Sequence, residues 1–323
     1  MASFSPSSPI GFEVAVVEVV DLVKEYNGKR VVDDVSFTVD AGEIFGIVGP
    51  NGAGKTTIVE SVEGLREPES GSISVLGLDP IADRYELAQR LGAQLQESRL
   101  QDRVRVGEIL ATFASFYRDP ADWRELVSRF GLEDKVDATY SSLSGGMKQR
   151  LSAALALVGS PEIVVLDELT TGLDPRARRS TWDGVERIRD SGVTVILVTH
   201  FMDEAERLCD RVMVLNDGRA NAIDSPTGLI RLTGSEQTMS FEPSEPVPLD
   251  EIRTLPEVAD VHSDDDRIMV TGAENVVLSV LTMLLDKGVT ASRLRVDQTS
   301  LEDAYMVLTG EKSGSSVASG GES

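Results

Sequence analysis

The chain has 323 residues, of which 41% are hydrophobic and 26% are charged, a balance typical of a globular protein with enough residues for two domains. Its formal net charge of −23 argues against a nucleic acid partner, because proteins bind nucleic acid mainly through Lys and Arg that neutralise phosphates. Cys209 is the single cysteine, which excludes an internal disulfide and is typical of a reducing compartment such as the cytoplasm.

The N-terminal stretch, residues 1–13, is rich in Ser and Pro, and we expect it to be flexible. It lacks the basic and apolar regions of a signal peptide. The longest apolar runs, residues 153–158 and 276–285, are shorter than the roughly 18 residues that cross a bilayer. The sequence therefore predicts a chain that does not span a membrane by itself.

Residues 14–39 alternate between apolar and polar side chains as strands do, with a hairpin-type turn at Asn27-Gly28. Tyr26 comes immediately before that turn, and its flat ring can stack on a purine; the alternative is a packing residue at a strand end. Further along, residues 71–77 are typical of a short strand and residues 86–92 of a helix.

A phosphate-binding loop is the feature around which the chain is organised. Residues 44–48 predict a buried strand, residues 56–62 predict a helix start, and the segment between them satisfies the G-x-x-x-x-G-K-[ST] pattern. Glycines there let backbone N–H groups approach phosphate oxygens, and the helix N-terminus adds partial positive charge. We expect Lys55 on the β- and γ-phosphates and the Thr56 hydroxyl on Mg²⁺. The predicted nucleotide-binding residues here are Gly49, Pro50, Asn51, Gly52, Ala53, Gly54, Lys55, Thr56 and Thr57.

Residues 97–160 change to helical periodicity and predict an inserted helical block. The block includes the segment LSGGMKQR, residues 143–150, in which Ser144 is a natural N-cap. Gly145 and Gly146 leave bare N–H groups at this helix start, which makes it a second potential anion site. From capping chemistry alone, an ordinary capped helix is the better interpretation.

Two apolar strands end in polar side chains that we expect at the same edge of an α/β sheet. Residues 162–166 lead to Asp167 and Glu168, and residues 193–198 lead to His200. The carboxyl ends of parallel strands form the crevice in which open α/β sheets bind ligands. Asp167 is then positioned to orient the water shell of Mg²⁺, and Glu168 to polarise an attacking water. A structural role is the usual interpretation of a histidine, but the place of His200 beside the crevice favours a function.

Over about residues 14–230, these motifs closely resemble the nucleotide-binding subunits of ATP-binding-cassette (ABC) transporters, whose signature motif is similar to LSGGMKQR. The resemblance implies an α/β P-loop NTPase fold with a RecA-like parallel-sheet core, an antiparallel β-subdomain and a helical subdomain. The roles it implies are adenine stacking for Tyr26, catalysis for Lys55, Gln96, Glu168 and His200, signature contacts with ATP for Ser144, Gly145 and Gly146, Mg²⁺ contact for Asp167, and a dimer contact for Asp174. Gln96 resembles the loop glutamine that touches Mg²⁺ and senses the transmembrane partner, although Gln94, two positions earlier, is an alternative register.

The resemblance also implies how such a chain works. Two cassettes, as a homodimer or with a sister subunit, pack head to tail, so that each ATP lies between the P-loop of one and the signature helix of the other. ATP and Mg²⁺ are the expected cofactors, and hydrolysis lets the pair open. The expected partner is a separate multi-span membrane permease, which places the chain at the cytoplasmic face of the cell membrane.

The last part of the chain predicts a small α+β module with no catalytic cluster. Its end, residues 300–310, resembles the C-terminal extension of ATPases from bacterial drug-export and related export systems. The predicted division of the chain is a flexible N-terminus at 1–13, an ATPase domain at 14–234, an accessory domain at 235–312 and a disordered tail at 313–323.

The function favoured by these features is an ATP-binding and ATP-hydrolysing subunit that powers a membrane exporter. The direction of transport rests on the C-terminal resemblance, because the cassette itself also serves importers. The alternative is a soluble cassette ATPase in DNA repair or on the ribosome, which predicts long coiled-coil insertions or two tandem cassettes, and the sequence has neither. A cassette that only binds nucleotide is disfavoured because Glu168 and His200 are both present.

Overall fold

The computed structural model describes residues 15–94, 100–234, 237–264, 267–273 and 275–310. Contacts between Cα atoms divide the chain into two compact units, Met1–Ser225 and Pro226–Ser323. The predicted flexible N-terminus and tail lie outside the described residues.

The first unit alternates strands and helices. In chain order its elements are β1 (Ala15–Tyr26), β2 (Lys29–Asp40), β3 (Ile44–Val48), α1 (Lys55–Val62), β4 (Ser70–Val75), α2 (Arg84–Leu87), β5 (Leu91–Ala93), α3 (Val106–Ala114), α4 (Trp123–Arg129), α5 (Gly145–Leu157), β6 (Ile163–Asp167), α6 (Pro175–Asp190), β7 (Thr194–Thr199), α7 (Met202–Leu208), β8 (Arg211–Asn216) and β9 (Arg219–Asp224). Two 3-10 turns, Glu133–Lys135 and Tyr140–Ser142, lie between α4 and α5.

The core of this unit is a six-stranded sheet in the order β5-β6-β7-β3-β8-β9, parallel except for β9 at one edge. Every residue of β3, β6 and β7 is buried. Continuous apolar runs suit such strands because helices and loops cover both faces of a parallel sheet. The predicted parallel-sheet core is confirmed.

A second, antiparallel sheet in the order β2-β1-β4 packs on this core. The rings of Phe37 on β2 and Phe45 on β3 stack with their centroids 5.4 Å apart, which joins the two sheets. The predicted antiparallel β-subdomain is therefore present, and α3, α4 and α5 supply the helical one. The helix predicted at 86–92 is wrong: α2 ends at Leu87, and residues 91–93 form β5, which pairs with β6.

The second unit is a small α+β module that begins at Pro226, and the bounds given for the accessory domain, 235–312, stay a prediction. Its elements are α8 (Pro226–Leu232), β10 (Gln237–Pro243), α9 (Leu249–Arg253), β11 (Val258–Asp264), β12 (Arg267–Gly272), α10 (Val276–Asp286), β13 (Ala291–Gln298) and α11 (Leu301–Thr309). The strands form an antiparallel sheet in the order β11-β12-β10-β13, with a core of its own that includes Phe241, Val270 and Val280. Across the described residues of both units, no helix combines the length and the apolar character needed to cross a bilayer.

Candidate functional site

The phosphate-binding loop connects β3 to α1 and packs tightly against its neighbours. A Cβ atom on Gly49 would come within 2.2 Å of the Leu215 carbonyl oxygen, and one on Gly54 within 2.6 Å of the Val31 carbonyl oxygen. Gly54 also has a φ of 106°, a conformation that L side chains rarely adopt. Both positions therefore need glycine for the loop to lie where it does.

Lys55, the first residue of α1, is 6% exposed. Its Nζ donates hydrogen bonds to the carbonyl oxygens of Gly49 at 2.8 Å and Pro50 at 3.0 Å. Burial lowers the pKa of Lys55, and the carboxylates of Glu168 and Asp167 oppose this lowering. The ammonium is thus held at the loop by backbone oxygens, which phosphate oxygens of a bound nucleotide can replace with stronger, charge-assisted hydrogen bonds.

A cleft of about 180 Å³ opens in front of the loop. Its lining residues are Val31, Asn51, Gly52, Gly54, Lys55, Thr56, Thr57 and Glu168. Ala53 is a buried residue of the loop, and its N–H donates to the Pro50 carbonyl oxygen at 3.2 Å. The start of α1 adds N–H groups without intrahelical acceptors. A buried ammonium, free N–H groups and open space beside Gly52 together fit a phosphate group.

The polar strand ends meet at this cleft. Val48 pairs with Thr199 and Asp167 with Val198, so the residues that follow β3, β6 and β7 share one edge of the sheet. Asp167 is 8% exposed, and Glu168 continues β6 with a hydrogen bond from its N–H to the Val198 carbonyl oxygen at 2.9 Å. Glu168 has a φ of 49°. This left-handed conformation is uncommon outside glycine, and such strain is concentrated at functional sites.

His200 and Thr171 both contact the Glu168 carboxylate. His200 Nδ1 lies 3.2 Å from Glu168 Oε1, and the Thr171 hydroxyl donates to Oε2 at 3.5 Å. The Glu168 and His200 side chains are 39% and 32% exposed, so water reaches both groups. An oriented carboxylate open to water, next to a phosphate cradle, is suited to activating water. Thr171 was missed in the sequence because its position three residues after Glu168 becomes informative only once the loop is folded.

Glu63 is another residue that the sequence analysis does not single out, and it carries a partly buried carboxyl group. It follows α1 as its C-cap residue, and burial raises its pKa to about 7, with further contributions from Glu60 and Asp167. A glutamate at the end of an amphipathic helix is usually solvated, so only the packing of this segment identifies it.

The signature segment lies at a separate surface. Ser144 caps α5, and its hydroxyl accepts a hydrogen bond from the Met147 N–H at 3.3 Å. Asp174 caps α6 in the same way, through the N–H groups of Arg176 at 2.9 Å and Ala177 at 3.0 Å. These two helix starts line one cavity of about 690 Å³. Its lining residues are Ser144, Gly145, Gly146, Arg150, Gly172, Leu173, Asp174, Arg176, Ala177, Ser180 and Thr181.

The single chain therefore brings the predicted site residues together in two groups. Among the residues that the structure describes, the cleft at the phosphate loop and the cavity at the signature segment have no lining residue in common. Tyr26 does not line the cleft; its ring lies beneath two cations, with Lys24 Nζ 5.6 Å and Arg66 Cζ 5.4 Å from the ring centroid. Gln96 lies outside the described residues, and Gln94 bonds through its Nε2 to Gln149 Oε1 at 3.1 Å.

Known proteins of one family match this chain. A family model described as ABC transporter matches residues 32–171. The Nod factor export ATP-binding protein I of Mesorhizobium japonicum is 38% identical over 321 residues, which cover 96% of this chain and 91% of that protein. The chain belongs to the ABC transporter ATP-binding proteins. A second ABC protein of the same name, from Burkholderia pseudomallei, is 38% identical over 306 residues, 93% of this chain and 98% of that protein.

Solved structures agree with this assignment. One described as the ATP binding subunit of an ABC transporter is 30% identical, with a TM-score of 0.62, and covers 67% of this chain and 92% of that chain. The predicted ABC fold, the ATPase activity and the function as the ATP-binding subunit of an exporter are confirmed at the level of the family. The alternative of a soluble cassette in DNA repair or on the ribosome is not favoured. The drug-export detail is not confirmed, because these relatives are named for Nod factor.

Proposed function

We propose that this ABC ATPase works as a head-to-tail pair, with a second copy or a sister cassette, and hydrolyses ATP between the two chains. The observation that carries the proposal is the division of the site into two cavities that share no lining residue within the described part of the chain. A second chain supplies each phosphate cleft with the signature helix start that its own chain holds elsewhere. ATP then favours the closed pair through contacts that hydrolysis removes.

Each residue of the cleft has a separate role in ATP hydrolysis. The loop from Gly49 to Thr57 holds the phosphates, and Lys55 stabilises charge on the transferred phosphoryl group. Glu168 positions and deprotonates the attacking water, a role worth about 10²- to 10⁴-fold in rate. His200, 3.2 Å from that carboxylate, orients it and shares in stabilising the developing charge.

The oxygen donors at the cleft suit Mg²⁺. We assign Thr56 and Asp167 to it, partly through water, together with Gln96. Mg²⁺ keeps several of its waters and needs only one or two protein carboxylates. No group of three His, Cys, Asp or Glu side chains in the described part of the chain forms a metal cage by itself. When bound, the ion neutralises negative charge on the phosphates.

Three further assignments complete the pair. Tyr26 stacks on the adenine of ATP. Ser144, Gly145 and Gly146 bind the γ-phosphate of the nucleotide held by the other chain, as capped helix starts bind anions. Asp174 contacts the other chain from the same cavity.

The pair drives a separate multi-span permease at the cytoplasmic face of the membrane. Support comes from the relatives named for export of Nod factor. The permease makes the contacts with the exported molecule, so we assign no cargo to this chain.

Glu168→Gln separates binding from hydrolysis and tests the pair. We expect the variant to bind ATP, to lose about 10²- to 10⁴-fold in hydrolysis and to accumulate as a dimer with ATP and Mg²⁺, measured by light scattering. Lys55→Ala in the same background is the control, since it removes a phosphate contact and with it the ATP-dependent dimer. A Glu168→Gln protein that binds ATP and stays monomeric would contradict the pair.

A pull-down tests the permease. Tagged Glu168→Gln is recovered from native membranes with ATP and Mg²⁺, and the bound proteins are identified by mass spectrometry. We expect a multi-span membrane protein without a cassette of its own. Recovery of ribosomal proteins or nucleic acid in its place would contradict the proposed partner.

A further inference from the structure

Helix α6 connects the signature cavity to the segment that carries His200. It begins at Pro175, directly after Asp174 in that cavity, and Arg178 and Trp182 lie in its N-terminal half. The Arg178 side chain reaches Phe201, between β7 and α7, and the Trp182 side chain reaches Glu204 in the first turn of α7. One helix thus extends from the place proposed for the second chain to side chains next to the histidine proposed to act on Glu168.

The first connection is a row of three planar groups in which each lies close to the next. The Arg178 guanidinium carbon lies 4.5 Å from the centroid of the Phe201 ring, and the rings of Phe201 and His200 are 4.0 Å apart at an interplanar angle of 39°. Arg178 Nη1 also donates to Asp203 Oδ2 at 3.2 Å. A partly exposed ion pair contributes little by itself, but a guanidinium held at two points has a defined plane. That plane restricts how the Phe201 ring and the His200 ring can turn.

The second connection is buried. Glu204 on α7 is 1% exposed, and its Oε1 accepts a hydrogen bond from the Trp182 indole N–H at 3.1 Å. Burial raises the pKa of Glu204, while the hydroxyls of Thr199 and Thr170 and the Trp182 N–H oppose the rise. Thr199 ends β7, and Thr170 is two residues after Glu168. Of these donors, the Trp182 N–H makes the hydrogen bond that joins α6 to α7, whereas Glu204 Oε2 and the Thr170 hydroxyl are buried without a hydrogen-bond partner among the described residues. Because the carboxylate depends on this donor, Trp182 restricts where Glu204 and the start of α7 can lie.

We infer that Arg178 and Trp182 are positioning residues for hydrolysis: through Phe201 and Glu204 they hold His200 in the orientation in which it meets Glu168. The inference rests on the proposed roles of His200 and Glu168. It adds that α6 transmits the position of Asp174, at the contact with the second chain, to His200 on the same chain. Neither residue touches the nucleotide cleft, so both act through other side chains.

The first test compares two variants with a matched control. Arg178→Leu removes the guanidinium, and Trp182→Phe removes the N–H donor while keeping an aromatic ring. The control is Arg207→Ala, because Arg207 Nη2 lies 3.4 Å from Glu186 Oε1 and also joins α7 to α6, further along both helices. We expect each of the two variants to lower kcat about tenfold, with the Kd for ATP within about twofold and a melting temperature like that of the control.

Two results would overturn the inference at this stage. One is an unchanged kcat in Arg178→Leu. The other is an equal loss in Arg207→Ala, which would mean that any weakened contact between α6 and α7 has the same effect. If Trp182→Phe unfolds because Glu204 loses its donor, Arg178→Leu carries the comparison alone.

The second test asks whether the effect passes through His200. Arg178→Leu is added to His200→Ala, and the residual hydrolysis of the single and double variants is compared. We expect no further loss in the double variant. If Arg178 has only a general structural role, Arg178→Leu lowers hydrolysis about tenfold in both backgrounds. That result would overturn the inference and leave the proposed function standing. If His200→Ala hydrolyses ATP like the unmodified protein, the proposed role of His200 fails and the inference falls with it.

Discussion

The phosphate loop and the signature segment both have glycines at or shortly before a helix start, but for different physical reasons. Gly49 and Gly54 lie against carbonyl oxygens of their own chain, where a Cβ atom would come within 2.2 Å and 2.6 Å. A Cβ on Gly145 would meet nothing within 4 Å, and one on Gly146 would make ordinary contact with Leu173 at 3.6 Å. The first pair is required by the fold of the chain, whereas the fold does not require the second pair, which the proposed function assigns to contact with a second chain.

Burial follows the same division. Lys55 and Asp167 are only 6% and 8% exposed, whereas Ser144, Gly145 and Asp174 are classed as exposed. The first half of the site is thus complete within one chain, and substitutions there are expected to change folding together with nucleotide binding. Substitutions in the second half are expected to change activity while the chain stays stable.

The largest effect is expected for Gly49→Ala. The new methyl group cannot avoid the Leu215 carbonyl oxygen, because both atoms belong to fixed backbone segments. We expect a loss of about 3 kcal/mol or more in the free energy of unfolding, together with loss of ATP binding. Urea unfolding and equilibrium binding measure the two. Gly52→Ala is the control: its φ of 85° costs about 1 kcal/mol, but open space surrounds it. Equal losses in both variants would contradict the close approach at Gly49.

Gly145→Asp is expected to lower ATP hydrolysis without lowering the stability of the chain. A carboxylate at the start of α5 interacts favourably with the helix dipole, so the melting temperature stays the same or rises slightly. In the proposed pair the same charge repels the γ-phosphate held by the other chain, and hydrolysis falls about 100-fold. Gly145→Ala separates size from charge, since its methyl group has no neighbour within 4 Å. A Gly145→Asp protein with full activity would contradict the role of this segment.

The smallest effect is a change in the pH dependence of stability. Burial, with Glu60 and Asp167, raises the pKa of Glu63 from 4.5 to about 7. Between these values the folded protein keeps a proton that the unfolded chain releases, so the contribution of Glu63 to stability falls as the pH rises from about 4.5 to 7.

Replacing Glu63 measures this term directly. Without nucleotide, Glu63→Gln should raise the melting temperature by a few degrees at about pH 8 and leave it unchanged at about pH 4.5. The exposed Glu67 belongs to the same segment, and Glu67→Gln should change neither value. A shift of the same size at both pH values would show that the amide acts by packing rather than by removing a charge.

Some features needed the structure because they depend on residues distant in sequence. Whether the methyl group of an alanine fits at position 54 depends on Val31, and the burial of Glu63 depends on how the segment after α1 packs. The strand β5 was mistaken for part of a helix, since three residues show no period and their strand conformation comes from pairing with β6. The roles of the predicted site residues, with the position of Tyr26 over the nucleotide and that of Gln96 among them, stay predictions.

The sequence by itself determined the elements whose chemistry is local. The phosphate loop, the capped start of α5 and the buried strands that lead to Asp167, Glu168 and His200 all follow from residue type and short-range spacing. Tertiary structure decided which of these meet. Parallel pairing brought Glu168 and His200 within 3.2 Å and left the signature segment in another cavity, because sheet register and helix packing depend on the sum of many contacts rather than on any one segment.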